Sequence, residues 1–123
     1  MRLLVDTHIV LWWLQRSPRL HDDLVGILDS ETDVFVSPAS AWEVAIKQAA
    51  GKLHGPADLP ERVRDSGFRE IPVRFAHAIT AGRLPAHHRD PFDRLLVAQA
   101  VTEGLTLVTE DSDIRRYDVP VLP

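Results

Sequence analysis

The sequence predicts an α/β fold, and specifically a three-layer α/β/α sandwich with a mainly parallel central sheet. Short apolar runs, at residues 2–5, 33–36 and 105–108, alternate with longer segments that have helical spacing. The runs are continuously apolar instead of alternating with polar residues, which is typical of strands covered on both faces. Strands that alternate with helices favour crossover connections and hence parallel pairing.

Length and composition limit the class of protein further. A chain of 123 residues forms one domain, here residues 1–123, and its 45% hydrophobic and 26% charged residues are typical of soluble globular proteins. The absence of cysteine excludes disulfides and thiolate metal sites. No segment predicts a signal peptide or a membrane span, so a cytoplasmic location without membrane contact is expected. The net charge of −4 argues against a protein that coats polyanions, but not against a nuclease whose acids surround cations.

The first half of the chain begins with a strand over residues 2–5, which ends at Asp6. Thr7 then opens an apolar helix that continues to Leu14, and a second helix covers residues 21–28. The strand over 33–36 leads into a helix with Ser37 as its cap and Pro38 in its first turn.

That helix is predicted to run to about Ala50, with Gly51 just beyond its end. Its apolar residues recur with the spacing of a single helix face, which predicts that this face packs on the core. The stripe consists of Trp42, Ala45, Ile46 and Ala49.

The second half contains a well-capped buried helix that begins after Asp90, with Pro91 as its first residue. Val119–Leu122 is predicted to be an edge strand, because it contains a proline. The other predicted elements are a helix at 59–65, a weak strand at 68–71, a helix at 74–81, a histidine-bearing loop at 82–89, a strand at 105–108 and a helical turn at 113–117.

Four carboxylates occupy equivalent positions in this architecture. Asp6 and Asp111 follow buried strands, whereas Glu43 and Asp93 lie in the first two turns of helices. The carboxyl ends of parallel strands and the N-terminal turns of crossover helices share one edge of a sheet, so all four are expected in one crevice. Crowded like charges require compensation, and oxygen ligands suit Mg²⁺ or Mn²⁺, which can activate water for phosphodiester hydrolysis.

The same segments resemble the PIN-domain family, and closely the VapC-like ribonuclease toxins of prokaryotic toxin–antitoxin modules. The resemblance extends over essentially the whole chain and implies a Mg²⁺- or Mn²⁺-dependent endoribonuclease, usually a homodimer, that cleaves RNA and is inhibited by a cognate antitoxin. The family's acidic quartet maps onto Asp6, Glu43, Asp93 and Asp111. The matching segments are residues 3–8 (LLVDTH), 37–47 (SPASAWEVAIK), 90–100 (DPFDRLLVAQA) and 107–111 (LVTED).

Within this quartet, Asp6 and Asp93 are interpreted as principal metal ligands. Glu43 is interpreted as a ligand or as the residue that orients the attacking water, and Asp111 as a ligand of a second or weaker ion. Each has a structural alternative, because Asp6, Asp93 and Asp111 can serve helix or turn capping. Glu43 can simply pair with Lys47 on the helix surface.

Four further residues are expected to support the acids. Lys47 would orient Glu43, and Asp113 would support Asp111. The hydroxyl groups of Thr7 and Thr109 could hold carboxylates or metal-bound waters, although capping explains them equally well.

Several other residues carry weaker hypotheses. Trp42 and one of the adjacent pair Trp12 and Trp13 are expected to pack in the core, while the other tryptophan lines a groove for a partner helix or the dimer. Surface positions are expected for His21, His54 and His77. A solvated position is expected first, and phosphate contact second, for His87, His88, Arg89, Arg94, Arg115 and Arg116.

Two rival functions remain open from the residues alone. A phospho-acceptor receiver domain also gathers acids around Mg²⁺, but it requires paired acids after the first strand and a late lysine, whereas Asp6 is single and Lys47 is early. The second rival is a PIN-like module that binds RNA or protein without catalysis, and the presence of all four acids counts against it.

Overall fold

The computed structural model of the chain describes residues 1–31 and 33–123. Over these residues the chain forms one sheet of five parallel strands, in the spatial order β3-β2-β1-β4-β5. The strands are β1 (Leu3–Val5), β2 (Val34–Val36), β3 (Arg69–Glu70), β4 (Thr106–Val108) and β5 (Val121–Leu122).

Helices connect the strands and cover both faces of the sheet. They are α1 (Thr7–Leu14), α2 (Asp22–Ser30), α3 (Pro38–Ala49), α4 (Leu59–Asp65), α5 (Phe75–Arg83) and α6 (Pro91–Glu103), and a short 3₁₀ turn spans Ile114–Arg116.

The central strand β1 shows how the two faces are filled. Its three residues are completely buried, and their side chains alternate between the faces of the sheet. Leu3 and Val5 pack with the apolar side chains of α1, α2, α3 and α4, whereas Leu4 packs with those of α6 and the 3₁₀ turn. The predicted α/β/α sandwich with a parallel central sheet is therefore confirmed.

Helix α6 begins and ends as its sequence predicts. The Asp90 Oδ1 atom accepts hydrogen bonds from the backbone N–H groups of Phe92 (2.9 Å) and Asp93 (3.4 Å), and Gly104 ends the helix in the left-handed conformation. The last strand is shorter than predicted, but it follows Pro120 and lies at the sheet edge. Among the described residues, no helix combines the length and apolar character needed to cross a membrane.

The predicted core face of α3 is wrong. Trp42 is 65% exposed and Ile46 is 45% exposed, and Ala45 and Ala49 also lie on the exposed side. The buried residues of this helix are Ala39, Ser40, Glu43 and Val44. The face that packs on the protein thus carries polar and small side chains, and apolar periodicity alone selected the opposite face.

His77 is also placed differently from the predicted surface position. Its imidazole is fully buried, with Nδ1 accepting a hydrogen bond from the Arg74 backbone N–H (2.9 Å) and Nε2 lying 2.9 Å from Glu103 Oε1. These two contacts join the start of α5 to the end of α6. A histidine with both ring nitrogens bonded can replace an apolar residue in a helix interface.

Candidate active site

Asp6 lies where β1 ends, at the carboxyl edge of the sheet. Its side chain is only 4% exposed, and its Oδ1 atom caps α1 by accepting a hydrogen bond from the Ile9 backbone N–H at 2.9 Å. The Thr109 hydroxyl, which follows β4, donates to Asp6 Oδ2 at 2.5 Å. Both carboxylate oxygens are therefore held, and the capping role and the site position coexist in one residue.

Glu43 reaches the same edge from the second turn of α3. It is 4% exposed, and its Oε2 atom lies 3.1 Å from Lys47 Nζ, as the spacing along the helix predicts. Its other oxygen, Oε1, is buried and has no hydrogen-bond partner among the described residues. An anionic oxygen buried without a partner is costly, so this atom favours an additional positive group in the crevice.

Asp93 is the most perturbed acid of the group. Burial, followed by the negative charge of Asp90, raises the pKa of Asp93 to about 7. The charges of Glu43 and Asp6 also raise the pKa of Asp93, whereas His88 acts in the opposite direction. Burial likewise raises the pKa of Asp6, despite the hydrogen bonds from Thr109 and Ile9, and Asp111 adds to this effect. The four predicted acids are thus brought into electrostatic contact.

Asp111 serves both the turn that follows β4 and the site. Its Oδ1 atom accepts the backbone N–H groups of Asp113 (2.8 Å) and Ile114 (3.3 Å), and its own N–H donates to the Thr109 hydroxyl at 3.0 Å. The remaining oxygen, Oδ2, faces His88. Asp111 therefore caps the turn, whereas the Asp113 carboxylate faces Arg116 at 3.9 Å.

His88 contacts the acids, whereas the sequence predicted a solvated loop position first and phosphate contact second. Its Nε2 atom lies 3.0 Å from Asp93 Oδ2 and 3.3 Å from Asp111 Oδ2. Burial lowers the pKa of His88, but the Asp111 hydrogen bond and the charges of Asp93, Asp111 and Asp90 together raise it. Ligand atoms of His88, Asp111 and Asp113 all lie within 4.8 Å of one another. No sequence pattern separates this histidine from its neighbours in the loop.

Two other predicted roles are changed by the structure. The Arg94 guanidinium donates to the backbone carbonyls of Ala81 (2.7 Å), Leu84 (3.1 Å) and Pro85 (3.0 Å), so it binds the end of α5 and the loop that follows. The Thr7 hydroxyl donates to Ser40 Oγ at 2.9 Å and joins α1 to α3, whereas Thr109 holds a carboxylate as expected.

The residues at this edge fit a hard divalent cation. They provide two buried carboxylates, a Glu43 oxygen without a partner among the described residues, and raised pKa values for Asp6 and Asp93 that arise from burial first and from neighbouring carboxylates second. Mg²⁺ and Mn²⁺ prefer such oxygen ligands, and their charge would compensate the repulsion between the acids.

The fold and the site together define a class: an α/β/α domain with a parallel sheet and an acidic crevice at the carboxyl edge. The family model described as "PIN domain" matches residues 3–120. The chain therefore belongs to the PIN-domain family, and the receiver-domain alternative does not hold.

Individual relatives agree with this assignment. The chain is 30% identical over 126 residues to Ribonuclease VapC22 of Mycobacterium tuberculosis (strain ATCC 25618 / H37Rv), covering 96% of this chain and 93% of that protein. Two solved structures share the fold at 17% identity. DNA-bound VapBC from Salmonella typhimurium has a TM-score of 0.75 and coverage of 99% and 97%, and a toxin–antitoxin complex from Klebsiella pneumoniae has 0.70, with 98% and 96%.

The raised pKa of Asp93 predicts how stability varies with pH in the metal-free protein. The pKa is about 7 in the folded chain against its ordinary 3.8, so between these values the folded state binds more protons than the unfolded state. The free energy of unfolding therefore falls as pH rises through this range. Asp93→Asn removes this dependence, so its melting temperature should exceed that of the wild type by a larger margin at pH 8 than at pH 5.

The measurement is thermal unfolding in EDTA at both values of pH. Asp118→Asn, at an exposed acid, serves as the control and should give the same difference from wild type at both. A margin for Asp93→Asn that is equal at pH 5 and pH 8 would contradict the raised pKa of Asp93.

Proposed function

We propose that the protein is a metal-dependent endoribonuclease toxin that hydrolyses RNA phosphodiester bonds and is neutralised by a cognate antitoxin. The observation that carries this proposal is the group of carboxylates at the sheet edge, of which Asp6 and Glu43 are buried and Glu43 Oε1 lacks a partner among the described residues. The name of the 30% identical relative, Ribonuclease VapC22, supports RNA as the substrate.

The four acids have different roles in this proposal. Asp6 and Asp93 are the principal ligands of Mg²⁺ or Mn²⁺, Glu43 is a ligand or orients the attacking water, and Asp111 holds a second or weaker ion. Such an ion, when bound, polarises a phosphoryl oxygen and lowers the pKa of bound water.

The supporting residues hold these carboxylates in place. Thr109 donates to Asp6 and accepts the backbone N–H of Asp111, so one hydroxyl joins the acids that follow β1 and β4. Lys47 pairs with one oxygen of Glu43, and the other oxygen has no hydrogen-bond partner among the described residues. Asp113 supports Asp111 through its backbone N–H. A non-catalytic PIN-like module would not need this set of fixed acids.

Removal of Asp6 is expected to abolish cleavage. Asp6→Asn keeps the size of the side chain but removes its negative charge, so cleavage of a labelled single-stranded RNA in Mn²⁺ should fall by at least about 100-fold, since even residues that only orient metal ligands are worth about 10- to 100-fold. EDTA should abolish wild-type cleavage, and added Mn²⁺ should restore it.

Asp118→Asn, which alters an exposed acid outside the quartet, should cleave like the wild type. Wild-type activity in Asp6→Asn would contradict the ligand assignment. The absence of any EDTA-sensitive cleavage by wild-type protein would instead favour the non-catalytic binding module.

We further propose where the antitoxin binds. A cleft of about 740 Å³ lies between α1, α2 and α4, and both Trp12 and Trp13 line it beside Val25. Trp13 is anchored by packing on Phe68 and by its Nε1–H, which donates to Ser66 Oγ at 3.1 Å. A groove with aromatic walls accepts the apolar face of an amphipathic helix. The toxin–antitoxin complex among the structures of the same fold supports an antitoxin as the occupant.

Val25→Glu tests this binding site without removing a core residue. Val25 is 37% exposed, and a carboxylate there would oppose burial of an apolar helix face, so the affinity for the protein encoded beside this chain should fall at least about 10-fold. Calorimetry with the purified neighbour gives the affinity. Ile79→Glu, on the exposed side of α5, is the matched control and should bind normally. Equal affinity in both variants would place the antitoxin elsewhere.

We also propose that the protein is a homodimer, joined through an apolar rim formed by Trp42, Ile46 and Phe92. The rings of Trp42 and Phe92 pack edge to face at 5.2 Å, and Ile46 lines the same shallow cleft as Phe92. Exposed apolar side chains that contact one another are typical of protein interfaces.

Trp42→Asp is expected to convert the dimer into a monomer, because it places a charge at the centre of the apolar rim. Sedimentation should give twice the 13.8 kDa chain mass for the wild type and the single chain mass for the variant. A monomeric wild type, or a variant that stays dimeric, would contradict this interface.

A further inference from the structure

His88 is held by its surroundings more tightly than a residue of an irregular loop needs to be. Its backbone N–H donates to the Tyr117 hydroxyl at 2.9 Å, and its carbonyl accepts a hydrogen bond from the Arg94 guanidinium at 3.4 Å. Arg94 also donates to the Tyr117 hydroxyl at 3.3 Å. The main chain of His88 is therefore fixed on both sides of its Cα atom.

A hydrogen bond to Nδ1 also fixes the imidazole ring, and this bond determines which ring nitrogen is protonated. Nδ1 accepts a hydrogen bond from the Asp90 backbone N–H at 3.1 Å, so Nδ1 carries no proton. The ring proton must then be on Nε2, which makes Nε2 a donor and not a free lone pair. Metal ligation through Nε2 would require this arrangement to be broken.

The Nε2–H group points between two of the site's carboxylates. It lies 3.0 Å from Asp93 Oδ2 and 3.3 Å from Asp111 Oδ2. Asp93 projects from α6 and Asp111 from the turn after β4, so one donor connects acids carried by two separate elements. The side chains of His88 and Asp93 are only 16% and 17% exposed, so their contact is partly shielded from water.

We propose that His88 is a positioning residue of the acidic site: its Nε2–H orients Asp93 and Asp111 for a divalent cation without ligating the ion. This inference rests on the proposed metal-dependent function and adds a residue that the acidic quartet does not include. Carboxylates that ligate metals are themselves oriented by hydrogen-bond donors, and loss of such a donor weakens metal binding.

The test measures binding of Mn²⁺ alone, by calorimetry and in the absence of RNA. His88→Ala should lower the Mn²⁺ affinity by about 10- to 100-fold, as expected for the loss of a group that orients ligands. His88→Gln should restore most of the affinity, because its amide N–H lies the same number of bonds from the backbone as Nε2–H. A merely structural role would not be rescued by this substitution.

His87→Ala is the matched control, since it removes a neighbouring imidazole from the same loop. The His87 ring packs on Tyr117 at 5.0 Å rather than on the acids, so the Mn²⁺ affinity of this variant should equal that of wild type. Melting temperatures of all three variants establish that each is folded. Spin-echo spectroscopy of bound Mn²⁺ should show no coordinated imidazole nitrogen in the wild type.

The possible failures are distinguishable. Unchanged Mn²⁺ affinity in His88→Ala would overturn the positioning role and leave the metal site intact, and a coordinated nitrogen signal in the wild type would make His88 a ligand. Tighter Mn²⁺ binding in His88→Ala would show that the ring competes with the ion. A wild-type protein that binds no Mn²⁺ would overturn the proposed metal dependence together with this inference.

Discussion

Repulsion between buried carboxylates at the carboxyl edge of the sheet is the constraint around which this domain is built. Asp6 and Glu43 are almost completely buried, and partial burial together with the charge of Asp90 raises the pKa of Asp93 to about 7. Folding must hold these groups close together although neither burial nor like charge favours it. Rigid elements therefore position each acid: Asp6 follows the central strand β1, Glu43 lies in the second turn of α3, and Asp93 lies in the first turn of α6.

The backbone N–H groups that are capped at the start of α1 and of the 3₁₀ turn also orient the carboxylates of the site. Asp6 caps α1 with one oxygen and keeps the other for Thr109, and Asp111 caps a turn with one oxygen while the other faces His88. At α6 two different residues have these roles. Asp90 caps the helix, so the Asp93 carboxylate makes no backbone hydrogen bond among the described residues. Capping and site formation are thus compatible, and a capping explanation does not argue against a functional one.

The sequence predicts the elements that rest on local rules. Continuous apolar strands, the caps at Ser37 and Asp90 and the proline before β5 give the sheet, its parallel connections and its edge. Strand ends also predict the meeting of the four acids. The sequence fails at α3, where Trp42 and Ile46 form an apolar stripe that faces outward, because the polar residues Ser40 and Glu43 lie on the buried face. Periodicity shows which face of a helix is apolar. That face packs on the core only where polar side chains do not occupy the buried face instead.

His88 shows a second limit, and it has a different physical origin. Its position depends on Tyr117, on Arg94 and on the Asp90 N–H, three contacts that neither periodicity nor motif spacing encodes. The sequence carries only an indirect signal for His88. Arg94 directly follows Asp93, and its guanidinium donates hydrogen bonds to backbone carbonyls that precede the histidine. Arg94 therefore fixes the loop to the helix that bears Asp93. The segment Asp90–Arg94 thus acts as a unit. Asp90 caps the helix, and its backbone N–H donates to His88 Nδ1, which leaves the ring proton on Nε2. Asp93 faces the crevice, and Arg94 holds the loop that carries the histidine.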